Sequence, residues 1–205
     1  MEEDVGSTEY STTSRAKSGR PLRADAKRNI GIVVEAARET FASSGVDAPM
    51  REIADRANVG VGTIYRNFPQ RADLIAAVFR HEVDACANSA QELAADHTPG
   101  KAFALWMERY VEFIAAKRGL ASALHSGAPA FDALPAYFDR HLEPALARLM
   151  QSAVEAGEMQ DDISAHDLLR AAASLCAPDK TGDPAHAKRL VGLLVDGLRF
   201  RGKNA

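Results

Sequence analysis

The chain has 205 residues, of which 46% are hydrophobic and 26% are charged, and its formal net charge is −3. This composition predicts a soluble globular protein of one or two packed domains and excludes wholesale disorder. The sequence has no run of about 18 apolar residues to cross a bilayer. The first residues carry acids where a secretory signal carries bases, so we expect a cytoplasmic protein. Cys86 and Cys176 stand apart without a CxxC partner, which predicts two small buried residues rather than a disulfide framework or a zinc site.

Charge is distributed unevenly along the chain. Residues 15–72 carry 11 Lys and Arg against 6 Asp and Glu, whereas residues 73–205 carry 14 against 18. A basic segment within an acidic chain is typical of a protein that neutralises phosphates locally. An ordinary solvated surface explains the same counts, so charge alone leaves both interpretations open.

Helical periodicity covers nearly the whole chain, and strand alternation is absent apart from the short GIVV at 31–34, which lies inside a helical pattern. We therefore predict an all-α protein. Residues 1–19 are polar and rich in Ser and Thr, which predicts a disordered N-terminal arm. The next helix is predicted over 24–45, with Gly45 as its stop. Its predicted buried face consists of Ile30, Val33, Val34, Ala37 and Phe41.

The segment PMREIADRANVGVGTIYRNFP at 49–69 predicts two short helices joined by a tight turn, which is a helix-turn-helix. Asn58 is suited to a left-handed turn conformation, Val59 to filling the corner, and Gly60 to a sharp entry into the second helix. The predicted inward-facing residues are Ile53, Ala54, Ala57, Ile64 and Phe68.

The outer face of the second short helix has the mixture that a DNA duplex requires. Gly62 lets the backbone approach closely, Thr63 and Tyr65 offer hydroxyls, and Arg66 and Asn67 offer donors to phosphates or base edges. The same letters, GVGTIY, match part of the dinucleotide fingerprint G-x-G-x-x-G. That interpretation fails because no strand precedes the first glycine and Tyr65 replaces the third.

The stretch FASSGVDAPMREIADRANVGVGTIYRNFPQRADLIAAVF at 41–79 resembles the DNA-binding domain of the TetR family of bacterial transcriptional regulators. The resemblance covers roughly residues 23–80 and includes Ile-Ala, Ala-x-Val, Gly-Thr-Ile-Tyr, Phe-Pro and Asp-Leu-Ile at the family's spacing. It implies that double-stranded DNA is bound through Arg23, Lys27, Arg28, Arg51, Gly62, Thr63, Tyr65, Arg66, Asn67 and Arg71. The chain departs from the family at Asn58, Gly60 and Val61, where many members have Gly, Ser or Thr, and a basic residue. Specificity therefore relies more on Tyr65, Arg66 and DNA shape.

The predicted domains are a helix-turn-helix domain at 20–72 and a C-terminal domain at 73–205 for ligand binding and dimerisation. In the C-terminal domain, Gly127, Pro129 and Pro135 are predicted to break the apolar helices into short pieces, as a pocket among bundle helices requires. Pro144 is expected to kink the long helix that contains it. An ordinary helical core explains the same residues equally simply. The candidate residues for a hydrophobic small-molecule effector are Phe103, Trp106, Met107, Tyr110, Leu124, His125, Phe131, Phe138, Leu142 and Met150.

The last two predicted helices are apolar and rich in small residues, which the resemblance associates with a homodimer. Two reading helices would then lie about 34–36 Å apart on a near-palindromic operator. The alternative is that these helices close the core of a monomer. The candidate interface residues are Leu168, Ala172, Leu175, Leu190, Leu194, Gly197 and Leu198.

No catalytic motif accompanies these features, and the six histidines lack metal-ligand spacing, so we expect neither an enzyme, nor a cofactor, nor a metal. The sequence favours a repressor that a small molecule releases from its operator. Two alternatives stay open: an activator or orphan regulator controlled by a protein partner, and an enzyme with a DNA-binding head.

Overall fold

The computed structural model describes residues 20–177 and 184–200, with the side chains of 20–27, 119, 184 and 200 left aside. Within those ranges the chain forms α-helices and one 3₁₀ turn and contains no strand, which confirms the all-α prediction. The predicted arm at 1–19 lies outside the described residues. The helices are α1 (Arg20–Ser44), α2 (Met50–Arg56), α3 (Val61–Asn67), α4 (Arg71–Asp96), α5 (Pro99–Gly119), α6 (Ala121–Leu124), α7 (Leu134–Glu155), α8 (Ala165–Leu175) and α9 (Pro184–Phe200), and the 3₁₀ turn is Pro129–Phe131.

The first helix buries a stripe of apolar residues against α2, α4 and α5. Val33, Ala37 and Phe41 are buried as their spacing predicts. The prediction was wrong for Ile30, which is 36% exposed because the buried stripe begins one turn later, at Val33. Gly45 ends the helix in a left-handed conformation with φ of 83°, and its N–H donates to the Phe41 carbonyl at 3.1 Å.

Helix α4 is the central element of the fold. It packs on α1, α5 and α7. Buried apolar residues continue along the helix from Leu74 to Ala90. The predicted domain boundary between residues 72 and 73 falls in the first turn of this helix. The helix-turn-helix is therefore joined to the rest of the chain by a continuous rod rather than by a loop.

The core of the C-terminal region is built around α5. Phe103, Trp106 and Tyr110 are fully buried, and the last two rings stack with their centroids 5.8 Å apart. Their polar atoms are also satisfied. The Trp106 indole N–H donates to the Cys86 carbonyl at 2.9 Å, and the Tyr110 hydroxyl donates to the Leu169 carbonyl at 3.2 Å. Both cysteines are free and buried, as predicted.

Between α5 and α7 the chain turns repeatedly. Gly127 adopts a φ of 75°, and the chain forms only the short α6 and the 3₁₀ turn, as the helix-breaking residues in this stretch predict. Pro135 lies in the first turn of α7, where its missing N–H costs nothing. Helix α7 stays continuous through Pro144, the residue at which a kink is predicted. None of the helices in the described ranges is long and apolar enough to cross a membrane.

Candidate nucleic-acid interface and effector cavity

The turn between α2 and α3 depends on Asn58 rather than on glycine. Asn58 has a φ of 52°, the left-handed conformation that the sequence predicts for it. The Val59 N–H then donates to the Ala54 carbonyl at 3.0 Å, which closes the turn. The expectation for Gly60 was wrong, because this residue has an ordinary extended conformation with φ of −69° and ψ of 141°. Its conformational freedom is not used.

Helix α3 is held by its inner face alone. Ile64 is fully buried and Phe68 is 8% exposed, as predicted from their i, i+4 spacing. The Phe68 N–H donates to the Ile64 carbonyl at 2.7 Å, and the Thr63 N–H donates to the Gly60 carbonyl at 2.8 Å. These contacts fix a helix of seven residues whose opposite face points away from the protein.

That opposite face brings together the predicted base-reading residues. Tyr65 is 48% exposed, and Arg66 is exposed with no hydrogen bond or ion pair to any described residue. A Cβ built on Gly62 would meet no heavy atom within 4 Å. The Asn67 amide is already engaged, because its Nδ2 donates to the Thr63 carbonyl at 2.8 Å. The exposed face of α3 therefore presents an aromatic ring, a guanidinium and bare backbone to solvent.

The predicted phosphate-contacting residues differ in their exposure and in the contacts that the structure shows for them. Arg51 is exposed at the start of α2, and Arg28 is exposed in α1. Arg71 is half-buried, and its Nη1 donates to the carbonyls of Val46 and Ala48, at 2.7 Å each. It therefore fastens the loop between α1 and α2 to the first turn of α4. The other two predicted residues, Arg23 and Lys27, lie in α1 with side chains outside the described residues.

Four ionisable side chains connect α1 to α4. Arg38 contacts Glu35 at 2.6 Å within α1 and Glu82 of α4 at 3.5 Å, and His81 lies 3.4 Å from Glu35. The hydrogen bond from Arg38 lowers the pKa of Glu35, with burial opposing that shift. Because most of these groups remain substantially exposed, the network orients the two helices more than it stabilises them.

A cavity of about 570 Å³ lies among α4, α5, α6, the 3₁₀ turn, α7 and α8. Four of the predicted effector residues line it, namely Leu124, His125, Phe131 and Phe138. His125 is exposed at the cavity, and its Nδ1 lies 2.6 Å from the Ala121 carbonyl oxygen. The volume falls within the roughly 300–1,000 Å³ range of small-molecule sites. The remaining lining residues are Phe79, Ile114, Lys117, Arg118, Ala121, Leu134, Pro135, Asp139 and Ala173.

The other six predicted effector residues lie elsewhere. Phe103, Trp106, Met107, Tyr110 and Leu142 are fully buried in the core and do not line this cavity. Met150 lines a separate space of about 400 Å³ between α7 and α8. Sequence reasoning missed Phe79, Ile114 and Lys117. Helical spacing places Ile114 beside the predicted aromatic stripe, but no local signal shows that α4 contributes Phe79.

A smaller cleft of about 220 Å³ lies where α1, α4 and α5 meet. Arg38 and Phe41 of α1 form one side of it, and Phe113 of α5 lies on another. Phe79 and Lys117 line both this cleft and the larger cavity. Phe79 and Lys117 therefore lie between the candidate effector cavity and the cleft that borders α1.

The predicted interface residues of α8 and α9 differ widely in exposure. Leu168 and Ala172 are fully buried within the single chain, so they are not available on its surface. Gly197 is exposed, and the others are half-buried: Leu175, Leu190, Leu194 and Leu198. The sequence interpretation did not single out Leu193, which is 70% exposed, the largest exposure among the large apolar side chains in the described ranges. The exposed apolar surface of these two helices therefore lies around Leu193 of α9 and does not include Leu168 and Ala172.

Two family models match this chain. One describes bacterial regulatory proteins of the tetR family and matches residues 33–78, which include α2 and α3. The other describes the C-terminal domain of SbtR-like transcriptional regulators and matches residues 98–200. Together they cover both the candidate nucleic-acid interface and the helices that enclose the cavity.

Solved structures give the same result over most of the length. A TetR transcriptional regulator from Streptomyces coelicolor is 36% identical, with a TM-score of 0.67 over 83% of this chain and 98% of that one. A TetR regulatory protein from Mycobacterium vanbaalenii is also 36% identical, with a TM-score of 0.69 over 87% and 99%. An HTH-type transcriptional regulator of Staphylococcus aureus is 36% identical over 64 residues, which span 31% of this chain and 35% of that protein. The chain therefore belongs to the TetR family of helix-turn-helix transcriptional regulators.

Proposed function

We propose that this regulator is a homodimeric repressor that binds a near-palindromic operator through α3 and is released by a hydrophobic small molecule. The observation that carries the proposal is the solvent-facing side of α3. Tyr65 and Arg66 make no hydrogen bond or ion pair within the described part of the chain, and Gly62 leaves bare backbone between them and the N-terminus of the helix. Such a face leaves its polar groups available to a partner and suits the major groove.

Dimerisation would use the exposed side of α8 and α9. Leu193 exposes 70% of its surface, and Gly197 follows it by one helical turn and is also exposed. A leucine beside a glycine on one helix face allows a second helix to approach closely. Leu168 and Ala172 would support this surface from below rather than touch the partner.

Release would follow from occupation of the larger cavity. Its walls include Phe79 of α4, the helix that packs on α1, and Phe138 of α7. A ligand that binds better to one orientation of α4 shifts the population toward that orientation. The two copies of α3 would then lose the spacing that the operator requires. The presence of this cavity favours a small-molecule effector over a protein partner.

Selection from a randomised duplex pool, followed by fluorescence anisotropy over a salt series, tests the DNA-binding part of the proposal. We expect an inverted repeat with half-sites about one helical turn apart and a steep loss of affinity with salt. Tyr65→Ala should weaken binding by about five- to 150-fold, since a good base contact contributes about 1–3 kcal/mol. Arg148→Ala, at an exposed site on α7, is the matched control and should leave affinity unchanged.

Transcription in vitro from a promoter that carries the selected operator tests the sign of regulation. A repressor lowers transcript yield as protein is added, and an activator raises it. Enrichment of no sequence, or a selected site without two-fold symmetry, would contradict the proposal.

Sedimentation of Leu193→Glu tests the interface: we expect a monomer, whereas an unchanged dimer would mean that the interface lies elsewhere.

A further inference from the structure

Lys117 occupies an unusual place in the wall of the larger cavity. Its Nζ lies 5.6 Å from the ring centroid of Phe138 and 5.9 Å from that of Phe79. The side chain is half-buried, and no carboxylate in the described ranges lies within 4 Å of the ammonium. Aromatic rings attract a cation weakly compared with an ion pair. The lysine is therefore held between two rings at the cavity without an anionic partner.

The other charged groups at the cavity leave an excess of positive charge. Arg118 follows Lys117 on α5, and Asp139 of α7 is the acidic residue of the lining. His125 completes the ionisable lining groups. Neither Arg118 nor Asp139 forms an ion pair within the described chain. Two cations thus face one carboxylate, and His125 and apolar side chains form the rest of the lining.

A simpler explanation is that the two bases stabilise the C-terminus of α5. Both lie in its last turn, where the carbonyl groups favour positive charge. This explanation accounts equally for Arg118, which is exposed. It does not account for the position of Lys117, whose ammonium lies at the rings of Phe79 and Phe138 instead of extending into water.

We propose that the effector is an aromatic acid whose anionic group pairs with Lys117 and whose rings pack against Phe79 and Phe138. The inference rests on the proposed function, because it names the chemical class of the ligand for the same cavity. A cation that is already partly desolvated gives an anion a strong charge-assisted hydrogen bond. The apolar walls supply most of the contact area, and the lysine supplies the discrimination between acids and neutral analogues.

The position of Lys117 also allows the charge of the ligand to affect α1, the helix next to the helix-turn-helix. Lys117 and Phe79 line the smaller cleft as well, opposite Arg38 and Phe41 of α1. An anion that draws the ammonium into the larger cavity removes a positive charge from the side that faces Arg38. Binding of the ligand's anionic group would therefore change the electrostatic environment of the contact between α1 and α4.

Two dyes with the same aromatic body test the proposal. 8-Anilinonaphthalene-1-sulfonate is an anion, and N-phenyl-1-naphthylamine is the same molecule without the sulfonate. Fluorescence titrations would use the full-length protein and Lys117→Met, which removes the charge and leaves an unbranched side chain one atom shorter. We expect the Kd of the sulfonate to rise about tenfold and that of the neutral dye to change less than about twofold. Asp139→Asn, the matched charge change on α7, should leave sulfonate affinity equal or higher.

Two further measurements separate the possible failures. Ala121→Trp should fill the cavity and weaken both dyes, and a thermal melt of each variant shows whether it remains folded. The proposal is overturned if Lys117→Met weakens both dyes equally, if the sulfonate does not bind, or if Ala121→Trp leaves sulfonate binding unchanged. Operator binding is measured on the same samples. Intact operator binding with any of those results refutes the acid ligand alone, whereas failure to bind any operator refutes the proposed function itself.

Discussion

Arg71 offers a sharp test because two different functions predict different consequences of its removal. The family resemblance implies that it contacts DNA phosphate. In the structure its Nη1 donates to the carbonyls of Val46 and Ala48 at 2.7 Å each, so it also holds the loop that precedes α2. We predict that Arg71→Met mainly destabilises the helix-turn-helix. Arg66→Ala, at a site without a polar partner among the described residues, should affect DNA binding alone.

The expected loss in the free energy of unfolding follows from the two hydrogen bonds that Arg71 donates. A hydrogen bond from a charged donor contributes about 1.5–3 kcal/mol, and one left unmade at a buried carbonyl costs a similar amount. Both bonds here come from one nitrogen, and the half-buried site lets water replace part of the loss. We therefore expect Arg71→Met to cost about 2–4 kcal/mol in the free energy of unfolding. For a chain of this length the Tm should fall by about 4–16 °C.

The assay combines a thermal melt with operator affinity measured over a salt series. For Arg66→Ala we expect a change in unfolding free energy within about 0.5 kcal/mol and a salt slope reduced by about one unit. For Arg71→Met we expect the large Tm shift and, at temperatures where the variant stays folded, a slope close to that of the parent. An Arg71→Met variant that melts like the parent and lowers the salt slope as Arg66→Ala does would show that Arg71 contacts DNA and does not hold the loop.

Three further predictions concern other parts of the molecule. Gly62→Leu should leave the Tm unchanged or raised, because a Cβ there meets nothing and glycine is a poor helix former, while operator affinity falls more than about tenfold in anisotropy titrations. Glu158→Ala removes the carboxylate that accepts from the Gly100 N–H at 2.8 Å at the start of α5, and we expect calorimetry to show a loss of about 1 kcal/mol, whereas an unchanged melt contradicts this capping contact. Burial raises the pKa of Cys86 to about 12 and also that of Cys176, so a thiol reagent at pH 8 should label neither in the folded protein and both after denaturation; rapid labelling of the native state would contradict their burial.

Local sequence patterns predicted the helix-turn-helix well because its constraints are local. The i, i+4 spacing of Ile64 and Phe68 is enough to define the inner face of α3, and Asn58 is among the residue types that tolerate a positive φ. Gly60 shows the limit of this reasoning. Glycine permits many conformations, but the structure uses an extended one that other residues also adopt. A permissive residue therefore does not by itself locate the turn.

The cavity was harder to predict because its walls come from helices that are distant in sequence. Aromatic residues at helical spacing marked Phe103 and Tyr110, but the structure places both in the closed core. Phe79 lies on α4, the helix that joins the helix-turn-helix to the rest of the chain, so its place in the cavity depends on how α4 packs against α5 and α7. Periodicity shows which face of a helix is apolar. It does not show where two apolar faces fail to meet and leave space.

The position of Trp106 gives the molecule a built-in optical reporter. It is the single tryptophan of the chain, it is fully buried, and its indole N–H is bound to the Cys86 carbonyl of α4. Its emission should be blue-shifted in the native state and should move to the red when α4 and α5 separate. The helix-turn-helix contains no tryptophan, so its melting leaves this emission unchanged and appears only in circular dichroism. Comparison of the two signals during heating therefore shows whether the reading head and the ligand-binding helices unfold as one cooperative unit or in succession.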